Sequence, residues 1–143
     1  MQIKIKRVDQ TLPLPEYKTA GAAAFDIYSR EDCVVPAHGQ FKVPSNLIIA
    51  TPPGYVLLIF SRSSLAPRKG LILANSVGVI DSDYCGPTDE ILVSVYNLTT
   101  EEVQIEKAER IAQGMFVKYE QSNWQEIQGI ENPDRGGFGS TGV

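Results

Sequence analysis

The apolar residues of this chain come in short runs separated by turn formers, and this pattern constrains the fold most. Ile3 and Ile5 alternate with lysines, followed by Cys33-Val34-Val35, Phe41-Lys42-Val43, Leu47-Ile48-Ile49 and Tyr55-Val56-Leu57-Leu58-Ile59-Phe60. Leu71-Ile72-Leu73, Ile91-Leu92-Val93-Ser94-Val95-Tyr96 and Met115-Phe116-Val117 continue the series. Pro36, Gly39, Pro44, Pro52-Pro53-Gly54, Gly70 and Gly86-Pro87 punctuate it. Even spacing with turn chemistry predicts an all-β fold, a barrel or jelly roll. No segment carries a long helical period. One short helix is expected at Ser63-Ser64-Leu65-Ala66, stopped by Pro67, because proline lacks the N–H a helix interior needs. The 143 residues show no internal repeat and no linker, so one domain is expected. A chain of this size buries roughly 68–70% of its unfolded surface without help from disulfides. Residues 1–130 are expected to form the barrel and the polar, Gly-rich residues 131–143 a tail.

Composition narrows the function. The net charge of −4 gives no overall pull toward nucleic acid or anionic membrane. No apolar run approaches the roughly 20 residues of a membrane span. Met1-Gln2-Ile3-Lys4-Ile5-Lys6 lacks the apolar core of a signal peptide. Cys33 and Cys85 do not make a disulfide framework, so a reducing cytoplasm is the expected location. The sequon Asn97-Leu98-Thr99 carries little weight there. His38 is the single histidine, and with two cysteines it cannot complete a four-ligand Cys/His zinc site. Its context, Pro36-Ala37-His38-Gly39, marks a solvated turn. Acid–base chemistry therefore falls to carboxylates.

Gly78-Val79-Ile80-Asp81-Ser82-Asp83-Tyr84 sets two carboxylates and a phenol between glycines. An unpaired charge is costly away from water, so acids in an apolar stretch need a reason. In a regular strand Asp81 and Asp83 share a face and Tyr84 points the other way. A turn within the run would bring Asp81 and Tyr84 to one pocket, with Asp81 holding a water as general base and Tyr84 packing a ligand's apolar face. The alternative is a hairpin loop whose aspartates bond their own backbone, and spacing alone favours neither.

Ser61-Arg62-Ser63-Ser64 follows the most apolar run and opens the expected helix, whose unpaired N–H groups attract anions. Arg62 adds a bidentate phosphate donor; the alternative is a serine cap beside a surface arginine. In Arg110-Ile111-Ala112-Gln113, Gln113 is able to donate to a phosphate oxygen, or the segment is simply a strand entrance. Gly137-Phe138-Gly139-Ser140-Thr141-Gly142 has the form G-x-G-x-x-G, but Val143 alone follows, so it opens no Rossmann helix. Its backbone N–H groups, Ser140 and Thr141 suit a phosphate. Phe138 suits stacking on a base, a contact contributing about 1–3 kcal/mol. A small anionic ligand with an aromatic part fits these stretches together.

In order along the chain, these stretches resemble the five motifs of the homotrimeric dUTPase (deoxyuridine triphosphatase) family. Thr19-Ala20-Gly21-Ala22-Ala23-Ala24-Phe25-Asp26-Ile27 resembles the first, Arg62-Ser63-Ser64-Leu65-Ala66 the second and the Gly78–Tyr84 run the third. Arg110-Ile111-Ala112-Gln113 resembles the fourth, and Arg135 to Gly142 the fifth. The resemblance implies a jelly-roll-like β-barrel homotrimer whose three sites are each assembled from all three chains. It implies Mg²⁺-assisted hydrolysis of dUTP to dUMP and pyrophosphate, limiting uracil in DNA and supplying dUMP. It assigns Asp81 to activating the water that attacks the α-phosphorus, and Tyr84 to the deoxyribose. Asn75 and the backbone at Gly78 and Val79 would read uracil. Arg62, Ser63, Ser64 and Gln113 would hold phosphates. Arg135, Gly139, Ser140 and Thr141 would close over the β- and γ-phosphates while Phe138 stacks on the base. The metal would ride on the triphosphate, with Asp26 acting through water or by holding Arg62.

The chain departs from the family pattern at Ala24, Phe25 and Ala108, where Gly, Tyr and Gly are usual. Pro87-Thr88-Asp89-Glu90 lengthens the segment after Gly86 by about three residues relative to that pattern, and Arg135 stands closer to Phe138. Two alternatives remain. A dCTP deaminase-like enzyme shares the barrel and the Arg-Ser-Ser motif, but Ser94 stands where its catalytic Glu would be. A non-catalytic trimeric interaction protein would have little use for Asp81, Arg62, Gln113 and the tail together.

Overall fold

A computed structural model describes residues 1–137. The strands are β1 (Lys4–Arg7), β2 (Phe25–Tyr28), β3 (Cys33–Val35), β4 (Gln40–Pro44), β5 (Leu47–Ala50) and β6 (Tyr55–Phe60). The helix α1 (Leu65–Lys69) follows, then β7 (Leu71–Leu73), β8 (Gly78–Ile80), β9 (Leu92–Asn97), β10 (Val103–Ile105) and β11 (Arg110–Lys118). The expected all-β architecture with one short helix is what forms. Strands β2-β11-β6-β8 make one sheet and β4-β9-β7 another, while β1-β5 and β3-β10 pair separately. The ladders are antiparallel. The core between them is aliphatic: Ile27, Val35, Val43, Ile49, Leu57, Leu71, Val93, Val95 and Ile111 are almost completely covered.

The helix differs from the expected one. It runs from Leu65 to Lys69, with Ser64 at the N-cap position, and Pro67 lies inside it. Pro67 falls in the first turn, where a backbone N–H has no intrahelical acceptor, so its missing donor costs nothing there. The helix ends instead at Gly70, whose φ of 65° is left-handed and whose N–H bonds the Ala66 carbonyl at 2.8 Å.

Three strands, β2, β8 and β10, lie outside the apolar runs that mark most of the others. The turn at His38 forms as expected, with φ 51° and the side chain exposed. Asn97 is buried, and its amide bonds the carbonyls of Val35 at 3.2 Å and Glu101 at 2.8 Å. That amide is built into the fold and is closed to glycosylation. Cys33 is buried, Cys85 is exposed, and both are free thiols. Among the described residues no helix is long and apolar enough to cross a membrane. Beyond Lys118 the described chain has no further strand, and residues 119–137 are exposed.

Candidate active site

Strand β2 places Asp26 and strand β11 places Gln113 directly opposite each other. Cross-strand partners put their side chains on the same face of the sheet. Asp26 is 8% exposed, a position a carboxylate tolerates only with partners. It has two: Arg62 Nε donates to Oδ1 at 2.9 Å and Arg110 Nη1 to Oδ2 at 3.1 Å. Arg62 also sends Nη1 to the Arg110 carbonyl at 3.4 Å, and this atom lies 3.5 Å from Ser64 Oγ. Of the two roles the resemblance implies for Asp26, a water-mediated contact to metal and the holding of Arg62, the contact with Arg62 is present, with Arg110 sharing the carboxylate.

Gln113 Nε2 donates to the Ser61 carbonyl at 2.9 Å, and Ser61 Oγ accepts the Leu73 N–H at 3.2 Å. The amide, both guanidiniums and Ser64 therefore gather at the end of β6. Ser63 is exposed beside them. Arg62, Ser64, Arg68, Lys69 and Arg110 line a pocket of about 260 Å³ whose single acid is Glu109. Glu109 is engaged by Lys69 at 2.8 Å. The pocket is cationic and suits a phosphate.

The Asp81 run forms a turn, but Tyr84 is not among the residues lining the cleft that Asp81 lines. The Tyr84 N–H bonds the Asp81 carbonyl at 3.2 Å. Asp81 is exposed and, with Val79, Ser82 and Asp83, lines a cleft of about 590 Å³ whose other walls include Tyr55 and Tyr119. Tyr84 is 41% exposed and turns its hydroxyl onto the Glu90 carbonyl at 3.2 Å. Asn75 lies on the loop between β7 and β8, exposed, and a Cβ on Gly78 would stand 3.8 Å from its Nδ2 and 3.1 Å from Ile59 Cβ. Glycine at position 78 thus lets β8 lie close against β6.

Within one chain the two groups do not converge. Ile80 pairs with Leu57, so Asp81 follows level with Val56, whereas Gln113 pairs with Phe60. That is four residues of β6, roughly 13 Å at the strand rise. Arg135 is exposed. Phe138, Gly139, Ser140 and Thr141 lie outside the described residues. An apolar groove of about 400 Å³ among Ile3, Ile5, Leu14, Tyr17, Phe25 and Phe116 holds no charged side chain and is separate from both groups.

The motifs of the sequence give Arg110 no role and carry no mark for Arg30 or Glu90. Arg110 stands in the same four-residue stretch as Gln113, and an acid at Asp26 in a mostly apolar strand, needing cationic partners, is the sequence signal that could have found it. Arg30 and Glu90 pair at 2.9 Å across 60 residues of sequence, a relationship with no local signature.

Fold and site together define a class: an all-β barrel that presents a braced guanidinium pair and an amide at one end of a strand and a carboxylate-bearing turn at the other, equipment suited to phosphate esters. The dUTPase family model matches residues 10–142. The deoxyuridine 5'-triphosphate nucleotidohydrolase of Dictyoglomus turgidum is 39% identical over 149 aligned positions, covering 100% of this chain and 99% of the relative. The dUTPase from Streptococcus mutans superposes with a TM-score of 0.77 at 33% identity, over 84% of this chain and 98% of that one. The Staphylococcus bacteriophage 80alpha dUTPase with dUPNHPP shares the fold at a TM-score of 0.86 and 24% identity, covering 99% of each chain. The chain belongs to the dUTPase family.

Proposed function

We propose that this protein hydrolyses dUTP to dUMP and pyrophosphate, in a cytoplasmic homotrimer whose sites are shared between copies. The observation that carries the reading is the Asp26–Arg62–Arg110 cluster beside Gln113, in a chain of this family. Phosphoryl chemistry needs positioning and charge neutralisation more than a dedicated nucleophile. Guanidiniums already held by a carboxylate meet the phosphates without being reorganised.

Asp81 is assigned to holding the attacking water as general base toward the α-phosphorus, and its exposed carboxylate is open to one. Tyr84 is assigned to the deoxyribose, Asn75 and the backbone of Gly78 and Val79 to uracil, and Arg62, Ser63, Ser64 and Gln113 to the phosphates. Residues 131–143 are assigned to closure, with Arg135, Gly139, Ser140 and Thr141 on the outer phosphates and Phe138 on the base. Closure of this kind excludes bulk water from the reaction.

The rough 13 Å between the two groups supports sites completed by a neighbouring copy, and the trimer is the assembly that the family resemblance implies. Exposed Trp124, Ile127 and Ile130, in the segment leaving the barrel, are apolar surface that assembly would cover.

Mg²⁺ would arrive on the triphosphate. Among the described residues no three His, Cys, Asp or Glu side chains cluster to hold a metal. The oxygens of Asp26, each accepting one guanidinium N–H, retain lone pairs that fit a water-mediated contact. Bound there, the ion would neutralise phosphate charge and orient the chain for in-line attack. The residues of the protein supply the rest: the base, the sugar wall and the donors.

The test is pyrophosphate release from dUTP, UTP, dCTP and dTTP, with and without Mg²⁺. Selective, Mg²⁺-dependent turnover of dUTP is expected. Ammonia release from dCTP, or no turnover of any nucleotide, would contradict it.

A further inference from the structure

The phenol of Tyr84 is tied to the barrel through Glu90, at the end of the lengthened loop. Tyr84 Oη donates to the Glu90 backbone carbonyl at 3.2 Å. Glu90 is itself clamped: its Oε1 accepts from Arg30 Nε at 2.9 Å and from the Asn46 N–H at 2.8 Å. Its side chain is 14% exposed, and a carboxylate so covered is costly without such partners. The residues between close on themselves. The Gly86 N–H donates to Asp89 Oδ2 at 2.7 Å and the Asp89 N–H to the Gly86 carbonyl at 3.2 Å. Lys6 Nζ, from β1, donates to the Pro87 carbonyl at 3.0 Å.

The Glu90 carbonyl is held from both sides. The adjacent Ile91 already joins the chain to the start of β5, its N–H bonding the Leu47 carbonyl at 2.9 Å and its carbonyl accepting the Ser45 N–H at 3.1 Å. The Ile91 N–H belongs to the same peptide group as the Glu90 carbonyl, and the side-chain clamp fixes the Cα on its other side, so the two together set the position of the carbonyl that receives the Tyr84 hydroxyl. A half-exposed ring held only by its own backbone yields to an extra oxygen atom at little cost. A ring pinned at its far end becomes a wall, and steric discrimination is as sharp as the wall is stiff.

We propose that Glu90 is a positioning residue for sugar selection: through Arg30 and Asn46 it fixes the carbonyl that holds the Tyr84 hydroxyl, and so sets the ring plane that rejects a ribose 2′-hydroxyl. This rests on the placement of Tyr84 against deoxyribose proposed above.

The test compares kcat/KM for dUTP and UTP in the wild type, Glu90→Ala, Tyr84→Phe and the double variant, with thermal unfolding of each. Glu90→Ala is expected to lower the dUTP-to-UTP ratio about tenfold, the scale of a sub-ångström displacement at a reacting site. Tyr84→Phe cuts only the tether and is expected to move the ratio the same way with Tm unchanged. The double variant is expected to add nothing further, as for two parts of one link. An unmoved ratio in Tyr84→Phe, or additive losses in the double, overturns the proposal; if Glu90→Ala fails to fold, Tyr84→Phe decides it. A wild type that does not prefer dUTP overturns the Tyr84 reading and this inference with it. A selective wild type with unmoved variants overturns this inference alone.

Discussion

Arg62 Nε donates to Asp26 Oδ1 at 2.9 Å, joining the helix-bearing loop after β6 to the middle of β2. The arginine that the reading places on phosphate is thus held before any ligand arrives. Its side chain is 23% exposed against 10% for Asp26, so the pair is partly shielded from solvent.

Asp26→Asn keeps the shape and removes the charge. The partial exposure of Arg62 and Arg110 tempers the cost of an orphaned guanidinium, and a loss of about 2 kcal/mol in urea unfolding is expected. Steady-state kinetics are expected to show a raised KM for dUTP as Arg62 loses its brace. An unchanged KM would remove Asp26 from ligand binding.

Ala108 has φ 67°, a left-handed conformation that crowds its Cβ. Its N–H bonds the Ser29 carbonyl at 2.9 Å, which fixes the turn into β11. Ala108→Gly is expected to stabilise the protein by about 1 kcal/mol, read as a higher urea midpoint. A lower midpoint would contradict the strain at this turn.

Asp9 gives a pH dependence with a definite sign. Its bonds to Lys107 Nζ and to the Thr11 side chain and N–H hold its carboxyl well below the usual carboxylate range. A depressed folded pKa contributes stability above the unfolded value of about 3.9, lost as pH falls toward the folded one. The stability gap between wild type and Asp9→Asn is therefore expected to be full at neutral pH and to shrink below about pH 4. A gap that widens in acid would contradict this.

Truncation after Asn132 removes chain that lies beyond the last strand. Circular dichroism and the urea midpoint are expected to stay the same while dUTP turnover falls steeply. Unchanged turnover would show that the tail takes no part in closure.

Much of this was legible in the sequence because β-strands declare themselves by apolar runs between Pro and Gly. β2 and β8 escaped that reading for a physical reason. Asp26 interrupts one and Gly78 opens the other, and each has a structural use there: one pairs with Arg62, the other permits close approach to Ile59. Pro67 misled because a proline in the first helical turn differs from one in the interior only by register. The Asp26–Arg110 contact spans 84 residues and follows from strand pairing, which local sequence does not specify.

In the proposed assembly the Asp81 turn and the Arg62–Gln113 cluster act together only across copies of the chain. Asp81→Asn and Arg62→Ala should each be inactive alone. Co-refolded in equal amounts, they are expected to recover about a quarter of wild-type dUTP turnover, the random-assembly fraction of sites that draw both intact residues from different copies. Turnover no greater than that of the two parent variants would contradict shared sites and return both groups to a single chain.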